Sequence, residues 1–475
     1  MIKERSGEVK IVFLNLPNKF RVIRRFMCSY NAPNFLFPPL ELMYLSALAE
    51  KKNIKAELID AIAQGLDADA TLDKLKNSKP DMVLFMTGFE IFGEDIGVAD
   101  FLKDKMPNTR FVAIGYYPSI FPKEVLDNSK IDAVIMGEPE MTFSCLCERL
   151  SANSGLDDVD GLAFRQGSRV VINKARGRIE DLDSLPFPSR NLINNDLYSE
   201  PFLGRPFTTI LTSRGCPYTC AYCVRTYGNK LICRSAENIL AEIREAVCRF
   251  GIRNFRFLDD TFTVRRKRVL EICESILKEG IKVNWTALSR VDTLDKDMLE
   301  IMNKAGCRRL YVGIESGSQK VLDYYKKGYK ADQIIKNIDL INNSGIKTAG
   351  FFMVGAPVET EEDFNKTMTL AKECKLDYCT IFRTMPYPGT CFFDDMKERI
   401  EFSLFPYKNR LKDAEFEKRI NDWEGRFFKE YYLRFGYIVS KVGFLIRHPL
   451  QLLHASLYFF KHLFCRKERP RGDFI

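Results

Sequence analysis

A chain of 475 residues is too long for a single hydrophobic core, so two or three domains are expected. With 46% hydrophobic and 28% charged residues and no low-complexity tract, it has the composition of a globular protein rather than a disordered or fibrous one. The formal charge of +9 is mild for this length, and without clustering it does not indicate a nucleic-acid partner.

Residues 1–10 are polar and run straight into an apolar strand, so they do not read as a secretory signal. The fourteen cysteines are therefore expected in a reducing cytoplasm, most of them as free thiols and a few as metal ligands. No run of about 18 uninterrupted apolar residues suggests a spanning helix. The three histidines are His448, His454 and His462, all near the end of the chain.

In chain order, residues 9–16, 82–87, 111–115 and 133–136 read as buried strands, with helices at 40–51, 69–77, 94–105 and 140–150. Apolar strands alternating with helices predict a doubly wound parallel sheet over residues 1–150, with ligands beyond the carboxyl ends of its strands. Residues 151–205 read as a hairpin turning at Gln166-Gly167 followed by a proline-punctuated connector at 181–190. Alternation resumes with strands at 208–212, 254–258, 283–287, 310–314, 348–354 and 378–384. Six such units over 206–395 suit a partial (β/α)6 barrel, whose chemistry belongs at the strand C-termini. Thr360 and Asp363 have capping-box spacing. Residues 396–475 read as a helical, basic extension, either a cap on the barrel or an amphipathic contact with an anionic membrane surface.

Directly after the first barrel strand comes Cys216-Pro217-Tyr218-Thr219-Cys220-Ala221-Tyr222-Cys223. Three thiolates in a C-x3-C-x2-C loop are soft ligands suited to an iron–sulfur cluster with one open iron, or to zinc with a fourth ligand. No histidine is near, but Cys233 could serve as that fourth thiolate, so zinc stays open on spacing alone.

This nest resembles the signature of the radical S-adenosylmethionine superfamily, and further segments resemble it in the same order. The resemblance implies a 4Fe-4S cluster on Cys216, Cys220 and Cys223 and a groove for S-adenosylmethionine. In that groove Asp259 and Asp260 would approach the methionine amine and Arg290 its carboxylate. Gly313, Glu315 and Ser316 would meet ribose and methionine, and Gly355 and Glu359 would lie in the turn that seats adenine. Pro386 to Thr390 matches the turn after the sixth strand. Segments of residues 38–45, 58–60, 115–118 and 132–140 resemble the cobalamin-binding domain joined to this core in one branch of the superfamily, with Gly115 and Tyr117 at the cofactor. Two departures stand out. The Asp-x-His-x-x-Gly loop that ligates cobalt elsewhere is absent, so cobalamin would be held without a histidine from its own domain. Glu41 and the Tyr116-Tyr117 pair replace smaller or different residues usual in the branch.

The implied activity is cleavage of S-adenosylmethionine to a 5′-deoxyadenosyl radical, with cobalamin-dependent methylation or remodelling of an unactivated carbon in a secondary metabolite, lipid or cofactor. Alternatives are radical cyclisation or rearrangement without methyl transfer, and a non-catalytic, metal-bound module that senses cobalamin. The expected partners are a small-molecule or lipid-like substrate and an external one-electron donor such as flavodoxin or ferredoxin.

Overall fold

The structure is a computed structural model that describes residues 9–25, 29–31, 35–152 and 154–439. Its first sheet has seven strands, in the order Lys55–Asp60, Lys10–Asn15, Met82–Met86, Arg110–Ile114, Ala133–Ile135, Leu162–Gln166 and Arg169–Ile172. The first five run parallel. Each needs apolar residues on both faces: along Lys10–Asn15, Ile11 and Phe13 enter one buried layer, while Val12 and Leu14 enter the other. The hairpin expected at 161–173 is present, and it pairs antiparallel with Ala133–Ile135, so it extends this sheet.

The helix Leu40–Lys51 is buried nearly all round, from Leu40 to Ala49. Its position explains that. Leu42, Met43 and Leu45 cover the first sheet, while Leu40 and Tyr44 pack on Leu211 and Leu258 of the second half.

The second sheet holds Phe207–Ile210, Asn254–Phe257, Asn284–Arg290, Cys307–Glu315, Lys347–Val354 and Tyr378–Arg383 in sequential order. All neighbours are parallel, giving the expected open six-stranded barrel around a core that includes Trp285 and Phe257. Thr360 and Asp363 form the expected capping box of Glu361–Glu373.

The C-terminal region begins with a hairpin that was not expected, Ile400–Leu404 with Tyr407–Leu411. The helix Ala414–Tyr432 then lies on the barrel with Ile420, Trp423, Phe427 and Tyr431 buried, and Trp423 stacks on Phe364 at 5.2 Å. This stretch is a cap. The basic residues beyond 439, with the three histidines, lie outside the described residues. No helix among the described residues is long and apolar enough to cross a membrane.

Candidate cluster and cofactor site

The cysteine loop hangs on a short stem in which Ser213–Arg214 pairs antiparallel with Ile232–Cys233. Gly215 opens the loop at φ +86, and a Cβ there would lie 2.3 Å from the Lys230 carbonyl oxygen, so only glycine fits. Inside the loop, the Cys223 amide donates to the Cys220 carbonyl at 3.2 Å and the Ala221 amide to the Tyr325 carbonyl at 3.0 Å. Cys216, Cys220 and Cys223 are free and half-buried. Burial pushes the Cys216 and Cys223 thiols upward, and the neighbouring Asp260 carboxylate and Cys220 add to this. Metal binding here would release protons.

Cys233, the alternative fourth thiolate, stands opposite Ser213 on the stem. Its thiol is raised by burial and feels Arg268, Arg265 and Asp259. Among the described residues, no three Cys, His, Asp or Glu side chains converge on one metal ion. The Cys216, Cys220 and Cys223 side chains are thus not drawn onto one point, but as a donor set three soft thiolates on one loop fit an iron–sulfur cluster with an open iron.

The two aspartates separate sharply. Asp259 accepts from the Thr212 amide (2.7 Å) and hydroxyl (2.6 Å), the Ser213 amide (3.1 Å) and hydroxyl (2.7 Å), and Arg268 (2.9 Å). Its carboxylate is spent inside the fold, locking the first two barrel strands together. Asp260 is the one beside the nest: burial pushes its carboxyl up to about 6, against the pull of Arg25.

Arg290 forks onto the Asp292 carboxylate through two bonds of 2.9 Å and donates to the Lys327 carbonyl at 2.6 Å. Its other nitrogen is 3.8 Å from the Cys220 sulfur, and its guanidinium lies 3.7 Å over the Tyr218 ring. Glu315 sits at φ +65 and accepts from the Tyr222 hydroxyl (2.8 Å) and the Lys327 ammonium (2.9 Å). A Cβ on Gly313 would fall 2.5 Å from that carboxylate. Ser316 is fully buried, bonds the Thr367 hydroxyl at 2.9 Å and accepts from the Ser318 amide, so it shapes the turn. Glu359 accepts from the Gly355 and Ala356 amides at 2.8 and 3.3 Å. Its second carboxylate oxygen has no hydrogen-bond partner among the described residues, and burial pushes the carboxyl up to about 7.

In the first domain, Gly115 sits at φ +130 with the Thr87 carbonyl oxygen 2.1 Å from where a Cβ would stand. Tyr117, expected at the cofactor, lies in the core of the first domain. It is fully buried against the rings of Phe89, Phe92, Phe402 and Tyr407. Tyr116, noted in the sequence only as a departure from the branch, takes the facing position: it donates to the Pro388 carbonyl at 3.0 Å and feels Cys223.

These contacts set the carboxyl edges of the two sheets against each other across the cysteine loop. Phe89, past Met82–Met86, stacks on Tyr387 of the turn after the last barrel strand, with ring centroids 4.1 Å apart. Glu138 and Glu140, past Ala133–Ile135, hold Arg214 at the root of the loop. Sequence reasoning had Arg214 and Tyr222 only as members of the cysteine run and missed Lys327, although Glu138 and Glu140 lay within the segment it compared.

Fold and site together define a two-domain α/β protein whose soft-metal loop is enclosed between a doubly wound sheet and a partial barrel. The model of the Radical SAM superfamily matches residues 210–371. An uncharacterized methyltransferase of Pyrococcus horikoshii is 32% identical over 356 residues, covering 74% of this chain and 77% of the relative. An anaerobic magnesium-protoporphyrin IX monomethyl ester cyclase of Cereibacter sphaeroides is 28% identical over 384 residues, 78% of this chain and 62% of the relative. Among solved structures, the radical S-adenosylmethionine methyltransferase TsrM of Kitasatospora setae, with cobalamin and a [4Fe-4S] cluster bound, superposes with a TM-score of 0.68 at 17% identity, over 82% of this chain and 78% of that one. The cobalamin-dependent radical enzyme OxsB gives 0.64 at 20% identity, over 87% of this chain and 56% of its own length. At these identities the structures speak to fold. The chain belongs to the radical S-adenosylmethionine superfamily.

Proposed function

We propose that this chain is a cobalamin-dependent radical S-adenosylmethionine enzyme that methylates or remodels an unactivated carbon of a small molecule. The observation that carries the reading is the enclosure of the Cys216, Cys220 and Cys223 loop between the carboxyl edges of both sheets. When bound, the cluster supplies one electron to cleave S-adenosylmethionine into a 5′-deoxyadenosyl radical, and cobalamin supplies a methyl carrier. The chain's own residues bind and orient. Asp260 offers a carboxyl beside the nest for an amine, Arg290 a cation beside Cys220 for a carboxylate, and Glu315 and Glu359 polar groups at strand ends for ribose and adenine. Tyr116, Phe89 and Tyr387 close the interface and keep water from it.

The electron comes from an external donor of the flavodoxin or ferredoxin kind, in a reducing cytoplasm that suits the free cysteines. A lipid-like substrate and peripheral membrane contact draw support from residues 440–475, which carry seven Lys or Arg against two Asp or Glu. Ring formation without methyl transfer is a second reading, favoured by the likeness to the magnesium-protoporphyrin cyclase.

The test is anaerobic reconstitution with iron and sulfide, followed by reductant and S-adenosylmethionine. We expect 5′-deoxyadenosine, with S-adenosylhomocysteine appearing beside it only when cobalamin is added. No cleavage by the wild-type chain would sink the proposal, and cleavage with no cobalamin-dependent product would favour ring formation.

A further inference from the structure

Lys327 lies beyond the short helix Gln319–Tyr324, in a run whose sequence, Lys326-Lys327-Gly328-Tyr329-Lys330, reads as solvated surface. The fold turns it inward instead. Lys326 takes φ +56, and the Lys327 side chain is left only 4% exposed.

Both ends of this residue are engaged. Its ammonium lies 2.9 Å from a Glu315 oxygen and 3.3 Å from the Tyr222 hydroxyl, which donates to that same oxygen at 2.8 Å. Its carbonyl accepts from Arg290 at 2.6 Å. Arg290 is in turn 3.8 Å from the Cys220 sulfur, and Cys220 is among the groups whose charge acts on the Lys327 ammonium. Burying an ammonium costs several kcal/mol unless it is paired, so its retention between a carboxylate and a thiolate site calls for a role. Glu315 is also buried, at 6% exposure, and sits in a backbone conformation that side chains rarely adopt. Among the described residues, Lys327 is the cation paired with this carboxylate.

We propose that Lys327 is a positioning residue of the S-adenosylmethionine pocket: its carbonyl aims Arg290, its ammonium holds Glu315, and its charge beside Cys220 eases reduction of the cluster. This rests on the cluster reading above. The electrostatic part follows because reduction adds negative charge to the cluster, which a nearby fixed cation stabilises. The positioning part follows because one residue restrains two side chains from different strands.

The test uses the full-length reconstituted chain and three variants, Lys327→Met, Lys327→Gln and Lys327→Arg. The readouts are iron and sulfide content, the electron paramagnetic resonance signal of the reduced cluster, its perturbation on titrating S-adenosylmethionine, and the midpoint potential. We expect Lys327→Met to load iron like wild type, to bind S-adenosylmethionine at least about tenfold more weakly, and to show a more negative potential. Lys327→Arg should recover most of both. Lys327→Gln keeps a donor for Glu315 but not the charge, so its potential should fall while its affinity changes less. Wild-type affinity and potential in Lys327→Met would overturn the proposal. Should that variant fail to fold, an unchanged potential in Lys327→Gln would overturn it. A wild-type chain that loads no cluster, or whose cluster ignores S-adenosylmethionine, would instead defeat the underlying reading.

Discussion

Arg214, two residues before Cys216, is buried in an ion pair with Glu140 at the start of the first-domain helix Pro139–Ser151, and each side chain is only 2% exposed. Glu138 adds a second contact at 2.9 Å. Arg178 bridges Glu138 to the Lys230 carbonyl at 3.2 and 2.7 Å, so both arms of the stem are tied to one first-domain turn. The cluster loop thus takes its position from the first domain as well as from the barrel that follows it in sequence.

Removing one partner of such a pair leaves a buried charge uncompensated. Glu140→Gln should destabilise the chain by about 3 kcal/mol, the low end for a broken buried pair because Glu138 remains. Iron retained after reconstitution should fall with it. Denaturant unfolding and an iron assay check this; a variant as stable as wild type would show that the pair does not hold the domains in register.

The choice between a three-ligand cluster and a four-ligand zinc site is open to direct measurement. Cys220→Ala should lose nearly all cluster iron, whereas Cys233→Ala should keep the wild-type amount. The physical reason is that Cys233 answers to Arg268, Arg265 and Asp259 rather than to the nest. Equal loss of metal in both variants, or zinc displacing iron in wild type, would restore the four-thiolate reading.

Much of this arrangement was legible in the chain. Strands such as Met82–Met86, covered on both faces, must be apolar throughout, and the cysteine spacing with the strand-end segments marked the site. What was hidden depended on tertiary packing. Asp259 and Asp260 are adjacent and chemically alike, and only the direction of each side chain makes one a strand lock and the other a neighbour of the thiols. Tyr116 and Tyr117 differ in the same way. Arg214 and Glu140 are 74 residues apart, so no local pattern joins them. The hairpin Ile400–Leu404 with Tyr407–Leu411 escaped notice because its strands are short and mostly half-buried, without a clean apolar alternation.

Glu359 predicts a pH dependence. Its carboxyl is raised from 4.5 to about 7 by burial, so the folded chain holds a proton that the unfolded chain has released between those values. Its contribution is therefore fully present below about pH 4.5 and is lost as pH rises through about 7. The span is worth on the order of 3 kcal/mol. Glu359→Gln should flatten that part of the profile, read as the difference between variant and wild-type unfolding curves from pH 5 to pH 8. Taking the difference matters because Asp260 is raised too, by burial. Parallel curves across the whole range would refute the assignment.

The histidine-poor chain makes a final prediction about cobalt. All three histidines lie at or beyond position 448, and the first domain has none to offer as a ligand. A histidine nitrogen bound to Co(II) splits the paramagnetic resonance lines, because the unpaired electron in the axial orbital overlaps that donor. Labelling the chain's histidines with nitrogen-15 should therefore leave the Co(II) spectrum of bound cobalamin unchanged, any nitrogen splitting coming from the cofactor's own benzimidazole. Replacing His448, His454 and His462 together by alanine should leave that spectrum unchanged. If labelling changes the wild-type splitting, and that change vanishes in the triple variant, the C-terminal segment reaches the cobalt and the first domain does not hold the cofactor alone.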